Sequence, residues 1–320
     1  MPNSSDSISV VLATYNGGRY LREQLDSIAA QTIQPFEIII QDDCSSDDTI
    51  AIVQEYIPRL PIQLESNPNN IGYIHNFEMA LSKARGEFIA LCDQDDIWEA
   101  DKLAQLLYHM RENSLVYSNS MLIDSNGHSL KQTLSEKLRN RFISTHTPLS
   151  FVYDNCVSAH ALMFHRSLLP QLFPFPHHLY FDAWIAANAA SANGVKYIDM
   201  PLVNYRQHSA NTLSKTAKEK ASLFKKIGTK GEKKALEHET AVLLISDILR
   251  IPTLQSSERD VLEHLKKEHS SFTTSWFNFT LFGMLLHYKN TLFAITKRNP
   301  WMVAFKKAIG QKLYRFFPFL

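Results

Sequence analysis

The segment "ISVVLATYNGG", residues 8–18, decides the fold. Its short run of apolar and β-branched residues predicts a buried strand, and Asn16 with the two glycines after it predicts a turn. The apolar residues between Tyr20 and Ala29 then recur at helical spacing, which indicates an amphipathic helix. The chain therefore opens with a strand, a turn and a helix.

The same alternation continues through the next eighty residues. Further strands are predicted for "FEIIIQDD", "PIQLESN" and "GEFIALC", with helices over about 50–56 and 77–84 between them. Strands that alternate with helices in this way form a mainly parallel sheet. The sequence predicts an α/β fold with a doubly wound sheet and helices on both faces.

The pattern changes from about Leu115. Shorter extended segments lead to the helical pattern "LYFDAWIAANAASANG" and the strand pattern "VKYIDMPLVNYR". The polar segment from Ser129 to Pro148 lacks periodicity and is predicted to be a mobile loop. From about Ser214 the chain looks helical, so we predict a first domain over 1–213 and a helical C-terminal appendage over 214–320.

Composition excludes several classes of protein. The chain has 320 residues, is 45% apolar and carries a formal charge of +1, so it can bury a large core and has no general affinity for nucleic acid. Its three scattered cysteines suit reduced thiols in the cytoplasm. No signal peptide is visible at the N-terminus, and membrane spanning is not expected.

Polar and acidic residues follow each predicted strand of the first half. In parallel sheets, ligands bind at the carboxyl ends of the strands. Those ends carry Thr14 to Asn16, Asp42 with Asp43, Asn67 to Asn70, and Asp93 to Asp96. Neither a GxGxxG segment nor a phosphate-binding P-loop is present, which argues against dinucleotide binding and P-loop chemistry.

Asp93 and Asp95 end a strand with no Lys or Arg directly beside them. Two carboxylates one residue apart can hold Mg²⁺ or Mn²⁺ and leave open positions for phosphate oxygens. The alternative is that Asp95 and Asp96 only favour the positive end of the helix that begins near Glu99.

Several segments together resemble the inverting glycosyltransferases of family 2. The matching segments are "SVVLATYNGGRYLREQLDSIAAQT", "FEIIIQDDCSSDDT", "NNIGYIHNFEMALSKARGEFIALCDQDDIW" and "FDAW", over about residues 7–210. The forms "DQDDIW" and "YRQH" look most like the bacterial rhamnosyltransferases. The resemblance implies a GT-A fold and transfer of a sugar from a nucleoside diphosphate, with dTDP-L-rhamnose favoured over a UDP-hexose or UDP-N-acetylhexosamine.

The resemblance also implies roles for particular residues. Thr14, Tyr15 and Asn16 match the segment that lies along the nucleotide, and Asp43 matches the acid that accepts the N3–H of the pyrimidine base. Asp93 and Asp95 match the DxD motif that contacts the ribose and the metal-bound diphosphate. Asp182 matches the catalytic base.

Two residues near the end of the matching region are candidates of their own. Arg206 is predicted to pair with the leaving diphosphate, and His208 to ligate the metal or touch the diphosphate.

Each of these residues also has a structural interpretation. Asp42 and Asp43 would serve as caps for the helix after "CSSDDT". Asp182 would be an ordinary acid at a helix start, Arg206 a surface residue of a strand, and His208 a structural hydrogen-bonding residue.

The residues after Glu268 form a basic and aromatic tail. No Asp or Glu occurs there, while seven Lys and Arg residues alternate with aromatic residues that include Trp276, Phe279, Trp301 and Phe305. This composition predicts an anchor that lies on anionic lipid at the cytoplasmic face of the inner membrane, where a glycan or lipid-linked acceptor would be reached. The alternative is a helical subdomain whose aromatic residues pack on the catalytic domain.

Two other classes of protein remain open at this stage. A sugar-nucleotide pyrophosphorylase also uses acidic metal ligands, although "LATYNGGRY" matches its nucleotide loop poorly. The second is an inactive glycosyltransferase-like scaffold in polysaccharide assembly, because fold analogy does not prove activity.

Overall fold

The computed structural model describes residues 6–176, 178–208, 229–271, 275–310 and 313. The strands are β1 Ile8–Thr14, β2 Glu37–Asp42, β3 Ile62–Ser66, β4 Phe88–Cys92, β5 Ile97–Trp98, β6 Leu115–Ile123, β7 Ser129–Thr133, β8 Leu162–His165 and β9 Val195–Arg206. The first seven helices are α1 Gly18–Ala29, α2 Thr49–Tyr56, α3 Tyr73–Leu81, α4 Lys102–Met110, α5 Leu134–Leu138, α6 Leu169–Leu172 and α7 Phe181–Ser191. Five more follow: α8 Lys230–Ile248, α9 Ser256–Ser270, α10 Phe279–His287, α11 Lys289–Leu292 and α12 Pro300–Ala308.

One sheet of nine strands organises the molecule. Its order is β3-β2-β1-β4-β8-β6-β9-β5, and β7 pairs with β6. The first four strands are parallel to one another, as predicted. β8 pairs antiparallel with both β4 and β6, so the complete sheet is mixed. The parallel half sets the carboxyl ends of β1, β2 and β4 side by side.

Both faces of this sheet are covered by helices. Alternate residues of each strand point to opposite faces, so Val11 and Val10 enter different cores. One face packs against apolar side chains of α1, α2 and α4, and the other against α3 and α7. Burial on both faces explains why the strands read as continuous apolar runs.

The segment Ser129–Pro148 is not the predicted loop throughout. It contains β7, which pairs with β6, and then α5. The backbone N–H of Thr133 donates to the Glu136 carboxylate at 2.8 Å, as in a capping box. The Thr-x-x-Glu spacing is the sequence signal that could have predicted the start of α5. The strand itself forms through pairing with β6, which local periodicity does not reveal.

The C-terminal helices are part of the main core. Ile245, Leu262, Leu281 and Phe293 are buried in the same cluster as Trp184 of α7. The packing alternative is therefore correct for these apolar residues, whereas several aromatic residues of the same helices remain exposed. The predicted domain boundary at 213/214 lies outside the described residues.

No helix within the described ranges is both long and apolar enough to cross a membrane.

Candidate functional site

The turn after β1 is joined to the acidic segment after β4. Gln94, between the two acids of the DxD motif, accepts from the backbone N–H of Tyr15 at 2.9 Å and donates to its carbonyl at 3.2 Å. Thr14 donates to the Asp42 carboxylate at 2.8 Å. Asn16 takes the left-handed conformation, φ 47°, that Asn tolerates at turns. The ring of Tyr15 is about half exposed beside this junction.

The acids after β2 hold neighbouring loops. Asp42 accepts hydrogen bonds from the backbone N–H and the hydroxyl of Ser45. Asp43 accepts from the backbone N–H groups of Ile71 and Gly72 at 2.8 and 2.9 Å, just before α3. Neither acid caps α2, so that structural alternative is wrong. Contact of Asp43 with a nucleobase stays a prediction.

The carboxylates of the DxD motif meet two histidines from distant segments. The Asp95 carboxylate lies 2.7 Å from Nε2 of His208. The Asp93 carboxylate lies 3.9 Å from Nδ1 of His160, whose other ring nitrogen contacts the Ser120 hydroxyl at 2.9 Å. Burial and the neighbouring charge of Asp95 raise the pKa of Asp93 to about 7.

A buried lysine lies beneath these acids. The ammonium of Lys102, the first residue of α4, donates to the His160 carbonyl at 2.6 Å and lies 3.3 Å from the centre of the Trp98 ring. Burial lowers its pKa to about 7, while Asp96 and Asp93 oppose this shift. The acidic strand end therefore has a partly compensating cation that the sequence interpretation did not include.

Arg206 forms hydrogen bonds with the acidic segment that follows β4. Its side chain is fully buried, so the surface-strand alternative is wrong. The guanidinium donates to the carbonyl of Asp95 at 2.8 Å and to the carboxylate of Glu23 at 2.8 Å, and its backbone N–H donates to Asp96. It stacks on Tyr20 at 4.5 Å. These bonds fix the Asp95–Asp96 backbone, and a direct contact with diphosphate stays a prediction.

Asp182 lies in the first turn of α7, as predicted. Its Oδ1 accepts from the backbone N–H of Ala183 at 2.7 Å and from the Asn155 amide at 3.2 Å. Burial raises its pKa to about 7, and the nearby backbone N–H groups oppose the shift only in part. The sequence left this direction open. Asn155 contacts Asp182, and His160 of the same segment lies 3.9 Å from Asp93, so this segment brings the start of α7 close to the acids after β4.

The prediction that Asp182 is the catalytic base can be tested through its raised pKa. A protonated carboxyl cannot accept a proton, so we expect kcat for sugar transfer to fall as the pH decreases through about 7. The measurement is kcat at saturating donor and Mn²⁺ from about pH 5.5 to about pH 8.5, with donor binding followed at each pH as the control. A kcat that stays flat across this range would contradict the assignment.

Donor atoms that suit a divalent ion occur here in two adjacent groups. Asp95 and His208 form one, and Asp93, Asp96 and His160 form the other, with their ligand atoms within 4.8 Å of one another. One oxygen of the buried Asp96 has no hydrogen-bond partner. Carboxylate oxygens suit Mg²⁺ and Mn²⁺, whereas imidazole more often binds Zn²⁺, Cu²⁺, Fe²⁺ or Ni²⁺. The carboxylates therefore fit the expected ion, although the predicted set Asp93, Asp95 and His208 is divided between the two groups.

Comparison with known families identifies the class of protein. The family model for glycosyl transferase family 2 matches residues 9–173, more than half of the chain. This chain belongs to glycosyl transferase family 2. The match includes β1, β2, β4 and the DxD segment but ends before Asp182 and His208.

Individual relatives match parts of the chain. An uncharacterised Mycobacterium tuberculosis protein is 46% identical over 94 residues, which are 28% of this chain and only 27% of that protein. The putative teichuronic acid biosynthesis glycosyltransferase TuaG of Bacillus subtilis is 32% identical over 160 residues, 49% of this chain and 59% of that one.

A solved structure shares the fold of this chain. It is that of Staphylococcus aureus TarS residues 1–349 in complex with UDP-GlcNAc, with a TM-score of 0.59 at 20% identity, covering 97% of this chain and 83% of that one. At this identity the likeness shows the GT-A fold alone.

Four residues of the site were missed by the sequence interpretation. Gln94 lies inside the DxD motif and Lys102 follows that motif closely, so the sequence could have indicated both residues. His160 and Asn155 have no local signal, because their positions depend on the chain returning through β8 and the loop before it.

Proposed function

We propose that the chain is an inverting glycosyltransferase that moves a sugar from a nucleoside diphosphate to an acceptor hydroxyl. The observation that carries this proposal is the position of Asp182, because one segment joins it to the DxD motif: Asn155 donates to Asp182, and His160 lies 3.9 Å from the carboxylate of Asp93. A base close to the site of an anionic leaving group is what a single displacement needs.

In this reaction Asp182 takes the proton of the acceptor hydroxyl. The acceptor oxygen forms a bond to the anomeric carbon as the bond from that carbon to the diphosphate breaks, and the nucleoside diphosphate leaves from the opposite face. The configuration therefore inverts. Asn155 and the backbone N–H of Ala183 hold Asp182 in place by donating to its Oδ1.

The leaving group requires positive charge. Asp95 and His208, with Asp93 beside them, are the residues that would hold Mg²⁺ or Mn²⁺. When bound, such an ion supplies positive charge against the departing diphosphate. Arg206 keeps the Asp95 backbone in place.

We propose dTDP-L-rhamnose as the donor, on the forms "DQDDIW" and "YRQH". UDP-N-acetylglucosamine is the second candidate, because TarS is named as a poly(ribitol-phosphate) N-acetylglucosaminyltransferase and is 33% identical over 155 residues, 44% of this chain and 26% of TarS. The acceptor is a glycan or lipid-linked oligosaccharide of cell-surface polysaccharide synthesis, at the cytoplasmic face of the membrane. The similarity to TuaG, a putative teichuronic acid biosynthesis glycosyltransferase, supports this class of product.

Thermal unfolding with a donor panel tests this proposal. With Mn²⁺, the true donor among dTDP-rhamnose, UDP-glucose, UDP-galactose and UDP-N-acetylglucosamine should stabilise the protein by roughly 2.7 kcal/mol at a hundredfold excess over its Kd. The stabilising donor should then release its nucleoside diphosphate on incubation with acceptor.

Other outcomes distinguish the competing classes. Release of pyrophosphate would show a pyrophosphorylase, and donor binding without any turnover would favour the inactive scaffold. A panel in which no donor raises Tm would contradict binding of these nucleotide sugars.

A further inference from the structure

Helices α10 and α12 present a continuous set of exposed apolar side chains. We call it the aromatic face and define it as Trp276, Phe279, Trp301, Met302 and Phe305. Phe279 is 78% exposed, Trp301 is 53% exposed and Met302 is 52% exposed. The Trp301 and Phe305 rings stack at 5.3 Å, and Phe277 contacts both Phe279 and Phe305. Through Phe277, these ring contacts join Phe279, Phe305 and Trp301 into one patch.

The opposite side of the same helices is also apolar. Leu281 and Leu285 of α10 and Ala304 of α12 are completely buried in the main core. The folded position of both helices is thus already secured by packing. Contiguous exposed apolar patches on a monomer mark an interaction surface, because leaving them in water is unfavourable. Among the described residues, the side chains of Phe279, Trp301 and Met302 are therefore exposed enough to meet a partner.

The charges of the chain segment that carries the aromatic face indicate which partner it fits. The chain contains no Asp or Glu after Glu268. Lys289, Lys297, Arg298 and Lys306 are exposed in the same region. Glu237 and Asp154 interact with Lys307, whose ammonium lies 4.1 Å from the centre of the Tyr153 ring on the inner side of α12. Trp and Phe combined with basic residues are typical of surfaces that bind anionic lipid.

We propose that the aromatic face binds the surface of an anionic lipid bilayer, with Phe279, Trp301 and Met302 inserted among the lipid head groups. This inference deepens the proposed function and rests on it only for the lipid-linked acceptor. Helix α12 packs near the candidate site. Its Lys307 lies against the ring of Tyr153, and Asn155, which follows closely in the chain, donates to Asp182.

Vesicle flotation of the full chain tests this proposal. We expect the protein to float with vesicles that contain phosphatidylglycerol and to remain behind with phosphatidylcholine vesicles. The double variant Phe279→Ser, Trp301→Ser should lower the partition coefficient by about tenfold or more, because two inserting aromatic side chains are lost. The matched control is Tyr108→Ser on α4, which removes another exposed aromatic residue, 65% exposed, and should leave flotation unchanged.

Truncation after Ser270 is a poorer test, because it would remove Leu281, Leu285 and Phe293 from the core. Equal flotation of the wild type and the double variant would overturn the proposal, as would a wild-type dimer that the double variant abolishes. Release of nucleoside diphosphate with a water-soluble acceptor, measured without vesicles, should be the same in the wild type and the double variant. Failure of that reaction in both proteins would count against the proposed function, whereas loss of flotation alone leaves it intact.

Discussion

Asp182→Asn is expected to lower the rate of sugar transfer by on the order of 10²-fold or more while nucleotide affinity changes little. The carboxamide oxygen can still accept from Ala183 and Asn155, so the start of α7 should keep its geometry. What the variant loses is the ability to accept a proton near pH 7. Single-turnover transfer rates and calorimetric Kd values for the nucleoside diphosphate measure the two effects separately.

Asp199 and Asp154 are the two acids closest in sequence to Asp182. Asp199 serves as the matched control, and Asp154 is the competing candidate for the base. Asp199 is exposed and accepts from the Tyr197 hydroxyl, so Asp199→Asn should transfer sugar normally. Asp154 has a pKa raised by burial and precedes Asn155, which makes it the strongest competing base. Near-normal transfer by Asp182→Asn, together with a large loss in Asp154→Asn, would move the base to Asp154.

Asp95→Asn is expected to weaken nucleoside diphosphate binding in Mn²⁺ by at least on the order of 100-fold, since Asp95 would help to hold the ion whose positive charge would balance the diphosphate. The substitution keeps the shape of the side chain beside His208 but removes its charge. In calorimetry, EDTA should reduce the affinity of the wild type to that of the variant. The affinity of the variant itself should not respond to EDTA.

Asp101→Asn is the matched control for charge. Asp101 lies six residues further along the chain and accepts from Gln105, so its substitution makes the same change in net charge outside the site. We expect its metal-dependent affinity to equal that of the wild type. If the wild type binds nucleoside diphosphate equally well with and without EDTA, a metal ion is not required for binding.

The first half of the fold could be predicted because its signals are local. Strands β1, β2 and β4 are buried on both faces, and their apolar runs and following turns are visible within short windows. The helix that begins at Phe181 was equally visible. In contrast, β7 was missed because an exposed strand has a weak sequence pattern and forms through its partner.

The site was predicted less completely than the fold. Asp93 and Asp182 were identified because they occur in recognisable motifs. Lys102 was overlooked because a lysine at a helix start is ordinarily exposed, and only the packing around Trp98 and His160 buries it. Arg206 was assigned to the diphosphate, while its bonds to Asp95 and Glu23 give it a structural role that sequence could not indicate.

The sequence by itself determined the alternation of strands and helices in the first half of the chain, the acids at the strand ends, and the apolar residues of the C-terminal helices. These follow from side-chain periodicity and turn chemistry, which act over a few residues. The tertiary structure alone decided that His208 meets Asp95, 113 residues away along the chain. It also decided that the pKa of Asp182 is raised and which aromatic residues stay exposed. The physical reason is that desolvation and electrostatic contact depend on distance in space, which the chain fixes only when it folds.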